Sequence, residues 1–470
     1  MSDTIHTGVT DHLCLIVYFR FTISNDSATI TNVYNVNVYN VSMHNIIAQT
    51  RDHDKSKKIR GHSQDANNSM KVFNPIDFRR EFPALSDKLT YLDSAATALK
   101  PRAMIEATQQ FYQQDSATVH RSQHQSALSL TVRFENTRQQ VADFINSSTA
   151  ENIIWTRGTT EAINLIAQSY ARPRLRPEDE IIVSEAEHHA NLIPWLMVAE
   201  QTGAKIVKLP IGLDHLPDLQ QLPQLLNEKT RILALGQMSN VTGGSPDLAQ
   251  AIRLAHQYDC VVVVDGAQGI VHCPADVQVL DIDFYAFSSH KLYGPTGIGV
   301  LYGKTELLEE MPAWQGGGKM LTHASFGGFT PHEVPYRFEA GTPNIAGVIG
   351  LSAVLKWLEH IDLEEAEVYS QGLATMAENK LAQLPGFHSY RCQQSSLLAF
   401  TFDGVHHSDL VALLAEQGIA LRAGQHCAQP LMAALGVNGS LRASFAPYNT
   451  PQDVEMLCSA LDKALELLRD

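Results

Sequence analysis

The chain has 470 residues, of which 44% are hydrophobic and 18% charged, and its formal net charge is −15. This composition is typical of a globular protein with more than one domain, and the negative balance excludes a broad basic surface for nucleic acid. The longest early apolar run, LCLIVYFRF at 13–21, is too short to span a bilayer and is interrupted by Arg20. We therefore expect neither a nucleic-acid partner nor a membrane segment.

Residues 1–69 differ in composition from the rest of the chain. They contain no proline and no glutamate, and the run TNVYNVNVYNVSMHNII at 31–47 is repetitive in Asn and Val. At Met70 the pattern changes abruptly to MKVFNPIDFRREFPAL, which has a helix-start signal and amphipathic spacing. Our hypothesis is that Met70 is the natural start and that 1–69 is an extension, either disordered or a result of start-codon choice. A flexible tail of the natural protein is the alternative.

Six cysteines are scattered along the chain without a CxxC pair or a repeated spacing. This pattern argues against a zinc cluster and against a disulfide scaffold, so no metal site is predicted and a reducing, cytoplasmic setting fits best. Cys260, Cys273, Cys392 and Cys458 lie in apolar or helical surroundings and are interpreted as core residues. His189 has no second ligand type near it at metal spacing and is given no functional role.

Short apolar runs alternate with helical patterns from about residue 90 to about residue 305. Buried strands are predicted for the runs IIWT (153–156), IIVSE (181–185), ILALG (232–236), VVVVDG (261–266) and FYAFS (284–288). Helical patterns such as TTEAINLIAQSYA and PDLAQAIRLAHQY separate them. Such an alternation implies an α/β fold with a mostly parallel sheet covered by helices on both faces. Because ligands of these sheets lie beyond the carboxyl ends of the strands, the residues after each run are the candidates for function.

Polar groups follow three of the predicted strands. Gly158, Thr159 and Thr160 come after IIWT, where backbone N–H groups and two hydroxyls either hold a phosphate or simply cap a helix. Asp265 ends the four-valine strand and needs a partner, which is either the next helix or a protonated heterocycle. Lys291, in SSHKLYGPTGIGVLYG, is either an exposed loop lysine or a desolvated amine that condenses with an aldehyde. A phosphate cradle, an acid and a lysine together are the groups that pyridoxal phosphate requires.

With these residues in place, the sequence resembles the group II cysteine desulfurases of the SufS/CsdA type, which are fold-type I pyridoxal-phosphate enzymes. The resemblance runs from about Met70 to the C-terminus and leaves 1–69 uncovered. It rests on motifs that occur in family order, namely YLDSAATALKP (91–101), TRGTTEAIN (156–164), EAEHHANLIPW (185–195), QMSNVTG (237–243), VDGAQG (264–269), SSHKLYGPTGIGVLYG (288–303), FEAGTPN (338–344), RAGQHCAQP (422–430) and LRASFAPYNT (441–450). Two departures are visible, because Ser94 stands where many relatives have Asn and Ser289 where some have Gly.

The resemblance implies a large cofactor-binding domain at 91–330, with a mostly parallel sheet of the seven-stranded type, and a smaller α+β domain at 331–470. Residues 70–90 would pack with the small domain, and the apolar run VIGLSAVLKWLEHI (348–361) would form a helix joining the two domains. A homodimer is also implied, because Thr342 resembles the residue that reaches across a dimer interface to the neighbouring cofactor phosphate.

The same resemblance assigns roles to individual residues around pyridoxal phosphate. Lys291 would hold the cofactor covalently and move the Cα proton, and Asp265 would pair with the pyridinium nitrogen. Gln268 would reach the ring hydroxyl, and His188 would stack on the ring and serve in proton transfer. The phosphate would be bound by a set of polar residues: Thr159, Thr160, Ser288 and His290.

Cys427 lies in the stretch LRAGQHCAQPL (421–431). This stretch alone leaves four roles open for it: a metal ligand, half of a disulfide, a core residue or a nucleophile. Gly424 before it and Pro430 after it indicate a loop rather than a core element. The resemblance makes Cys427 the nucleophile that takes sulfur from L-cysteine as a persulfide and leaves L-alanine. His426 and nearby arginines would favour its thiolate form.

Substrate and partners also follow from the resemblance. Arg442 would clamp the substrate carboxylate, and Asn240 would assist it. The enzyme alone should turn over slowly and need a small acceptor protein of the SufE/CsdE type. Selenocysteine lyase or cysteine sulfinate desulfinase activity, on L-selenocysteine or L-cysteine sulfinate, is the nearest alternative with the same residues. More distant alternatives are an aminotransferase or elimination enzyme, and a non-catalytic protein that kept the fold.

Overall fold

The structure is a computed structural model that describes residues 9–10, 13–14, 73–86, 88–392 and 394–469. The chain divides into two units, 1–68 and 69–470. In the first unit two short strands, β1 (Val9–Thr10) and β2 (Leu13–Cys14), pair in antiparallel fashion. Apart from those four residues, the predicted extension at 1–69 lies outside the described residues.

The second unit is built around a seven-stranded sheet with the strand order β4-β10-β9-β8-β7-β5-β6. The strands of this unit are β3 (Thr90–Tyr91), β4 (Ile153–Thr156), β5 (Glu180–Ser184), β6 (Lys205–Leu209), β7 (Thr230–Gly236), β8 (Val261–Asp265), β9 (Phe284–Ser288), β10 (Gly299–Gly303), β11 (Leu321–Ser325), β12 (Gly328–Pro331), β13 (Phe387–Ser389), β14 (Leu397–Phe402), β15 (Ile419–Ala420), β16 (Arg422–Gly424) and β17 (Ser440–Ser444). Within the large sheet β10 runs antiparallel to β4 and β9, whereas the other neighbours are parallel. The predicted α/β class with a mostly parallel sheet is confirmed.

The large sheet separates two apolar cores, and its central strands contribute to both. Val262 and Val264 of β8 pack into one core, while Val263 packs into the other. Each fully buried valine contributes about 1.5–3 kcal/mol relative to an exposed one, so a continuous apolar run favours this position in the sheet. The strand β6 escaped prediction because it lies at the sheet edge, where Lys205 and Lys208 are exposed and interrupt its apolar pattern.

Helices pack on both faces of the sheet. The helices Gln125–Phe144, Leu248–His256 and Ile345–Leu358 contribute to one core, and Thr159–Leu165 and Ile193–Thr202 contribute to the other. The remaining α-helices are Pro75–Arg80, Arg102–Gln110, Arg172–Arg174, Leu222–Leu225, Gly269–His272, Thr305–Glu310, Leu363–Leu381, His407–Glu416, Gln429–Ala434 and Pro451–Arg469. None of the helices in the described part of the chain is long and apolar enough to cross a membrane.

A second, four-stranded antiparallel sheet, in the order β13-β14-β17-β16, follows in the chain. It shares a third apolar core with the helices Leu363–Leu381, His407–Glu416 and Pro451–Arg469. Two contacts tie the start of the unit to this region, because β3 pairs with β15 and Arg79 Nη1 donates to Tyr448 O at 2.6 Å. The predicted domain boundaries near residues 90 and 330 stay predictions.

Candidate active site

A cavity of about 220 Å³ lies beyond the carboxyl ends of β4, β7, β8 and β9. Every residue predicted for the site lines it except Thr342, which is exposed elsewhere on the surface. The predicted residues brought together there are Thr159, Thr160, His188, Asn240, Asp265, Gln268, Ser288, His290, Lys291, Cys427 and Arg442. The rule that directed attention to the strand ends thus located the cavity.

One end of the cavity is formed by the turns that follow β4 and β9. Ser288 Oγ accepts a hydrogen bond from the backbone N–H of Thr159 at 2.9 Å and lies 2.8 Å from its hydroxyl. Gly299 of β10 is in register with Thr156 on one side and Ser288 on the other. A methyl group on Gly299 would lie 2.4 Å from Gly158 Cα, so glycine is what allows the two turns to approach. The hydroxyls of Thr159, Thr160 and Ser288 at this end of the cavity form a set of donors suited to an anion.

His290 lies beside this set of donors. Its Nδ1 is 3.2 Å from Thr97 Oγ1, and burial lowers the pKa of His290 to about 4, which makes it a neutral imidazole at neutral pH. The backbone carbonyl of His290 accepts from Lys100 Nζ at 2.9 Å. Lys100 also donates to Ala98 O at 2.6 Å, and burial lowers its pKa to about 8. Lys100 therefore fixes the backbone that leads directly into Lys291.

Lys291 and Asp265 form the chemical centre of the cavity. Lys291 ends the short turn after β9, and exclusion of water lowers its pKa to about 8, aided by Arg442 and Arg422 and opposed by Asp265. Asp265 ends β8 and is buried, and its Oδ1 accepts from Ala267 N at 2.9 Å. Burial raises the pKa of Asp265, while the Ala267 N–H and Lys291 oppose the rise. A buried carboxylate of this kind is stabilised by a cation placed against it.

Two further residues define the cavity wall. Gln268 donates through Nε2 to Ala95 O at 2.7 Å, which leaves its carbonyl oxygen facing away from that bond. His188 accepts from Ala190 N through Nδ1 at 3.0 Å, so its proton resides on Nε2. Burial lowers the pKa of His188 to about 4, with Lys291 adding to the effect. An uncharged imidazole ring at this position suits stacking against a flat ligand.

Arg442 and Asn240 meet on the side of the cavity formed by β17. Arg442 Nη1 donates to Asn240 O at 2.7 Å, and Nη2 lies 3.2 Å from Asp93 Oδ1. Burial lowers the pKa of Arg442 to about 10, which still leaves the guanidinium charged at neutral pH. Within the described residues, Arg442 Nε and Asn240 Oδ1 are buried without a hydrogen-bond partner. A free donor and a free acceptor in one cavity are the features expected of a polar ligand site.

Cys427 is exposed at the cavity and lies in a turn, which confirms the loop interpretation. His426 and Cys427 both adopt left-handed backbone conformations, with φ of 53° and 55°. The prediction that His426 adds positive charge beside the thiol is wrong. Burial lowers the pKa of His426 to about 3, with Arg442 adding to the effect and the hydrogen bond to the Ser440 backbone opposing it, so the ring is neutral at neutral pH. Positive charge at the cavity comes instead from Arg422 and Arg442.

The comparisons with known proteins agree with this geometry. Residues 90–457 match the family described as Aminotransferase class-V. The chain belongs to the class-V aminotransferase family. Among its relatives is the cysteine desulfurase CsdA of Escherichia coli (strain K12), 67% identical over 85% of this chain and 100% of that protein. A probable cysteine desulfurase of Vibrio cholerae is 51% identical over 83% of this chain and 98% of that protein.

Solved structures are also similar to this chain in fold. A crystal structure of Escherichia coli CsdA in an S-sulfonic acid form has a TM-score of 0.81 and covers 84% of this chain and 100% of that one, at 67% identity. A C-DES variant with glycine covalently linked to its PLP cofactor has a TM-score of 0.72 and is 25% identical, covering 82% of this chain and 98% of that one. The resemblance to the SufS/CsdA type predicted from the motifs is confirmed.

Pyridoxal phosphate, the cofactor of this class-V enzyme, fits the residues present. Thr159, Thr160, Ser288 and His290 line one end of the cavity, and their hydroxyl and imidazole groups suit a phosphate. Lys291 has a lowered pKa, as an amine that condenses with an aldehyde requires, and the buried Asp265 suits a protonated ring nitrogen. In the described residues no group of three or more His, Cys, Asp or Glu side chains is placed to hold a metal ion.

Several class-V site residues were missed by sequence reasoning. Asp93 pairs with Arg442, Lys100 fixes the carbonyl of His290, and Arg422 lies at the cavity. Glu187 is buried at the cavity wall, where its two oxygens accept from Gly236 N at 2.8 Å and from Asn191 Nδ2 at 2.7 Å. Each of these four polar residues stands in one of the family motifs given above. Its position in a motif was the signal that could have identified it as a site residue.

Two residues differ from their prediction. Cys273 was predicted to be a core residue and is exposed, whereas Cys260 and Cys392 are buried as predicted. His189, given no role, contacts the Cys427 loop through its backbone N–H and its ring.

Proposed function

We propose that the protein is a pyridoxal-phosphate-dependent cysteine desulfurase, a sulfurtransferase that converts L-cysteine to L-alanine and takes up the sulfur as a persulfide on Cys427. The observation that carries the proposal is the exposed thiol of Cys427 at the same cavity as Lys291 and Asp265. A thiol is required there because the acceptor must form a sulfur–sulfur bond and later release it by exchange.

Lys291 and Asp265 perform the proton and charge chemistry. When bound, pyridoxal phosphate supplies an electron sink that stabilises negative charge at the substrate Cα and weakens the bond to sulfur. The pKa of about 8 makes Lys291 Nζ available in neutral form, so it takes the proton from the substrate Cα and returns it. Asp265 holds negative charge at the end of β8, and His188 presents an uncharged ring to the same space.

The substrate carboxylate is held by Arg442. Its planar fork of donors binds a carboxylate through two parallel hydrogen bonds, and Nε is the donor without a partner in the described structure. The backbone carbonyl of Asn240 fixes the guanidinium by accepting from Nη1, and its free Oδ1 accepts from an N–H group of the substrate. Thr159, Thr160, Ser288 and His290 complete the site as phosphate ligands, with Gln268 directed at the ring.

Sulfur transfer is the step performed by Cys427. Its thiolate attacks the substrate sulfur, a sulfur–sulfur bond forms, and the bond between Cβ and sulfur breaks. The electron pair of that bond stays on Cβ, which takes a proton, and the product is alanine. Cys427 is then a persulfide, and the exposed position of the residue gives a second protein access to it.

We further propose the partners. A small acceptor protein of the SufE/CsdE type takes the persulfide sulfur from the exposed Cys427. Thr342, exposed and outside the cavity, serves the phosphate site of a second copy in a homodimer. The scattered cysteines, five of which are free in the described part of the chain, favour a reducing cytoplasmic setting. Relative rates on L-cysteine, L-selenocysteine and L-cysteine sulfinate would rank the three substrates.

The test is mass spectrometry of the holoenzyme after exposure to L-cysteine. The expected result is an adduct of one sulfur atom on the peptide that contains Cys427, with release of alanine. Cys427→Ser should abolish both, whereas the matched control Cys273→Ser, which removes another exposed cysteine, should retain both. Unimpaired alanine release by Cys427→Ser would contradict the proposal.

A further inference from the structure

The turn after β5 contacts the loop that carries Cys427 at two points. The backbone N–H of His189 donates to Cys427 O at 2.7 Å. The ring of the same residue receives a second bond, since the backbone N–H of Gln429 donates to His189 Nε2 at 3.3 Å. One residue thus contacts the chain at Cys427 and again two positions later.

The Cys427 loop has a conformation that needs support. His426 and Cys427 are successive residues with left-handed backbone angles, a conformation that side chains with a Cβ rarely adopt. Asn240 Nδ2 donates to His426 O at 2.8 Å and fixes one end of the turn. The other end is Gln429, where the helix Gln429–Ala434 begins and Ala428, as N-cap, makes no side-chain hydrogen bond.

The ring of His189 supplies the cap that this helix lacks. The first N–H groups of a helix have no partner within it, and Pro430 has no N–H to offer. Because the N–H of Gln429 is a donor, His189 Nε2 must carry a lone pair, and the ring proton resides on Nδ1. The neutral form of His189 is the one that makes this bond.

The turn that carries His189 is itself rigidly held. Glu187 Oε1 accepts from Gly236 N at 2.8 Å, which fixes the turn to the end of β7. Glu187 Oε2 accepts from Asn191 Nδ2 at 2.7 Å, and Asn191 Oδ1 accepts from Trp195 Nε1 at 3.0 Å. Since indole nitrogen only donates, the direction of this chain of hydrogen bonds is fixed. These hydrogen bonds fix the position of His189, which lies on the same turn as His188.

We propose that His189 is a positioning residue for sulfur transfer, whose neutral ring caps Gln429 and keeps Cys427 in the left-handed conformation that presents its thiol to the cavity. The inference rests on the proposed function, because it takes Cys427 to be the nucleophile. His189 does not line the cavity, and its effect is exerted through the Cys427 loop.

The test compares His189→Ala, His189→Asn and His189→Gln as holoenzymes. The Gln variant places an acceptor oxygen near the position of Nε2, whereas the Asn side chain ends one bond short of it. Two quantities are measured, namely hydrogen exchange of the Gln429 amide with residue-level fragmentation, and the single-turnover rate of sulfur loading on Cys427. Cofactor absorbance and KM for L-cysteine serve as controls.

The Ala and Asn variants should exchange the Gln429 amide about tenfold faster and load Cys427 about tenfold more slowly, as expected for one lost hydrogen bond. The Gln variant should be close to wild type, and KM and cofactor absorbance should be unchanged in all three. Wild-type loading by His189→Ala overturns the inference, and so does equal slowing in all three variants. If the wild-type enzyme loads no sulfur on Cys427, the proposed function fails, and unchanged Gln429 exchange in His189→Ala then refutes the cap independently.

Discussion

Covalent uptake of the cofactor should depend on pH in a way set by the surroundings of Lys291. Only the neutral amine attacks an aldehyde, and burial, with help from Arg442 and Arg422, lowers the pKa of Lys291 to about 8. At pH 7 an ordinary lysine with a pKa of about 10.4 is ~0.04% neutral, whereas one with a pKa of about 8 is ~10% neutral, a difference of ~250-fold. The rate of uptake should therefore rise up to about pH 8 and then become constant.

The assay mixes cofactor-free protein with pyridoxal phosphate between about pH 6 and about pH 10, with borohydride trapping of the product at Lys291. Two charge variants should shift the pH at which the uptake rate is half of its plateau value, in opposite directions. Asp265→Asn removes the negative charge that raises the pKa of Lys291, so the plateau should begin at lower pH. Arg422→Gln removes a positive charge that lowers it, so the plateau should begin at higher pH. A rate that continues to rise tenfold per pH unit beyond pH 9, roughly as for an exposed lysine, would refute the reasoning.

Three substitutions test other parts of the structure. Gly299→Ala should raise the dissociation constant of the cofactor about tenfold or more in equilibrium dialysis, because its methyl group would lie 2.4 Å from Gly158 Cα; an unchanged constant would contradict the role of that contact. Arg442→Lys should raise KM for L-cysteine about 10- to 100-fold in steady-state kinetics, since lysine lacks the planar fork; an unchanged KM would remove Arg442 from substrate binding. Arg138→Met removes the 2.6 Å ion pair between the buried Arg138 and Glu339, and should lower the free energy of unfolding in urea by about 1–3 kcal/mol, since Glu339 keeps its 2.9 Å pair with Lys319; an unchanged free energy would contradict the contribution of this pair.

The predicted strands were found because their sequences reflect their place in the sheet. Strands such as β8 are covered on both faces and read as uninterrupted apolar runs, whereas β6 carries exposed lysines at the edge and gives no such signal. The catalytic candidates at strand ends could be found because the end of a strand is a local feature of the sequence. Asp93, the partner of Arg442, could not be found in this way, because it reaches Arg442 only after the fold brings β3 and β17 together.

Burial accounts for the errors at single residues. The neutrality of His426 could not be predicted from its neighbours in sequence, because it results from burial in the fold and from the nearby charge of Arg442 on β17. Cys273 has apolar neighbours in sequence, but it follows the four-residue helix Gly269–His272 and is exposed there. A short helix places consecutive residues on different faces, so an apolar neighbour in sequence does not imply a buried position.

The antiparallel strand β10 lies between β4 and β9, and its Gly299 stands between Thr156 and Ser288. In the described sheet β4 is an edge strand whose one neighbour is β10, so the turn at Thr159 meets Ser288 after a pairing between distant parts of the chain. Pairing over such a large sequence separation carries an entropic cost of loop closure. A chain in which β4 and β10 have not paired holds no complete phosphate site, so capture of the cofactor reports that this edge of the sheet has formed.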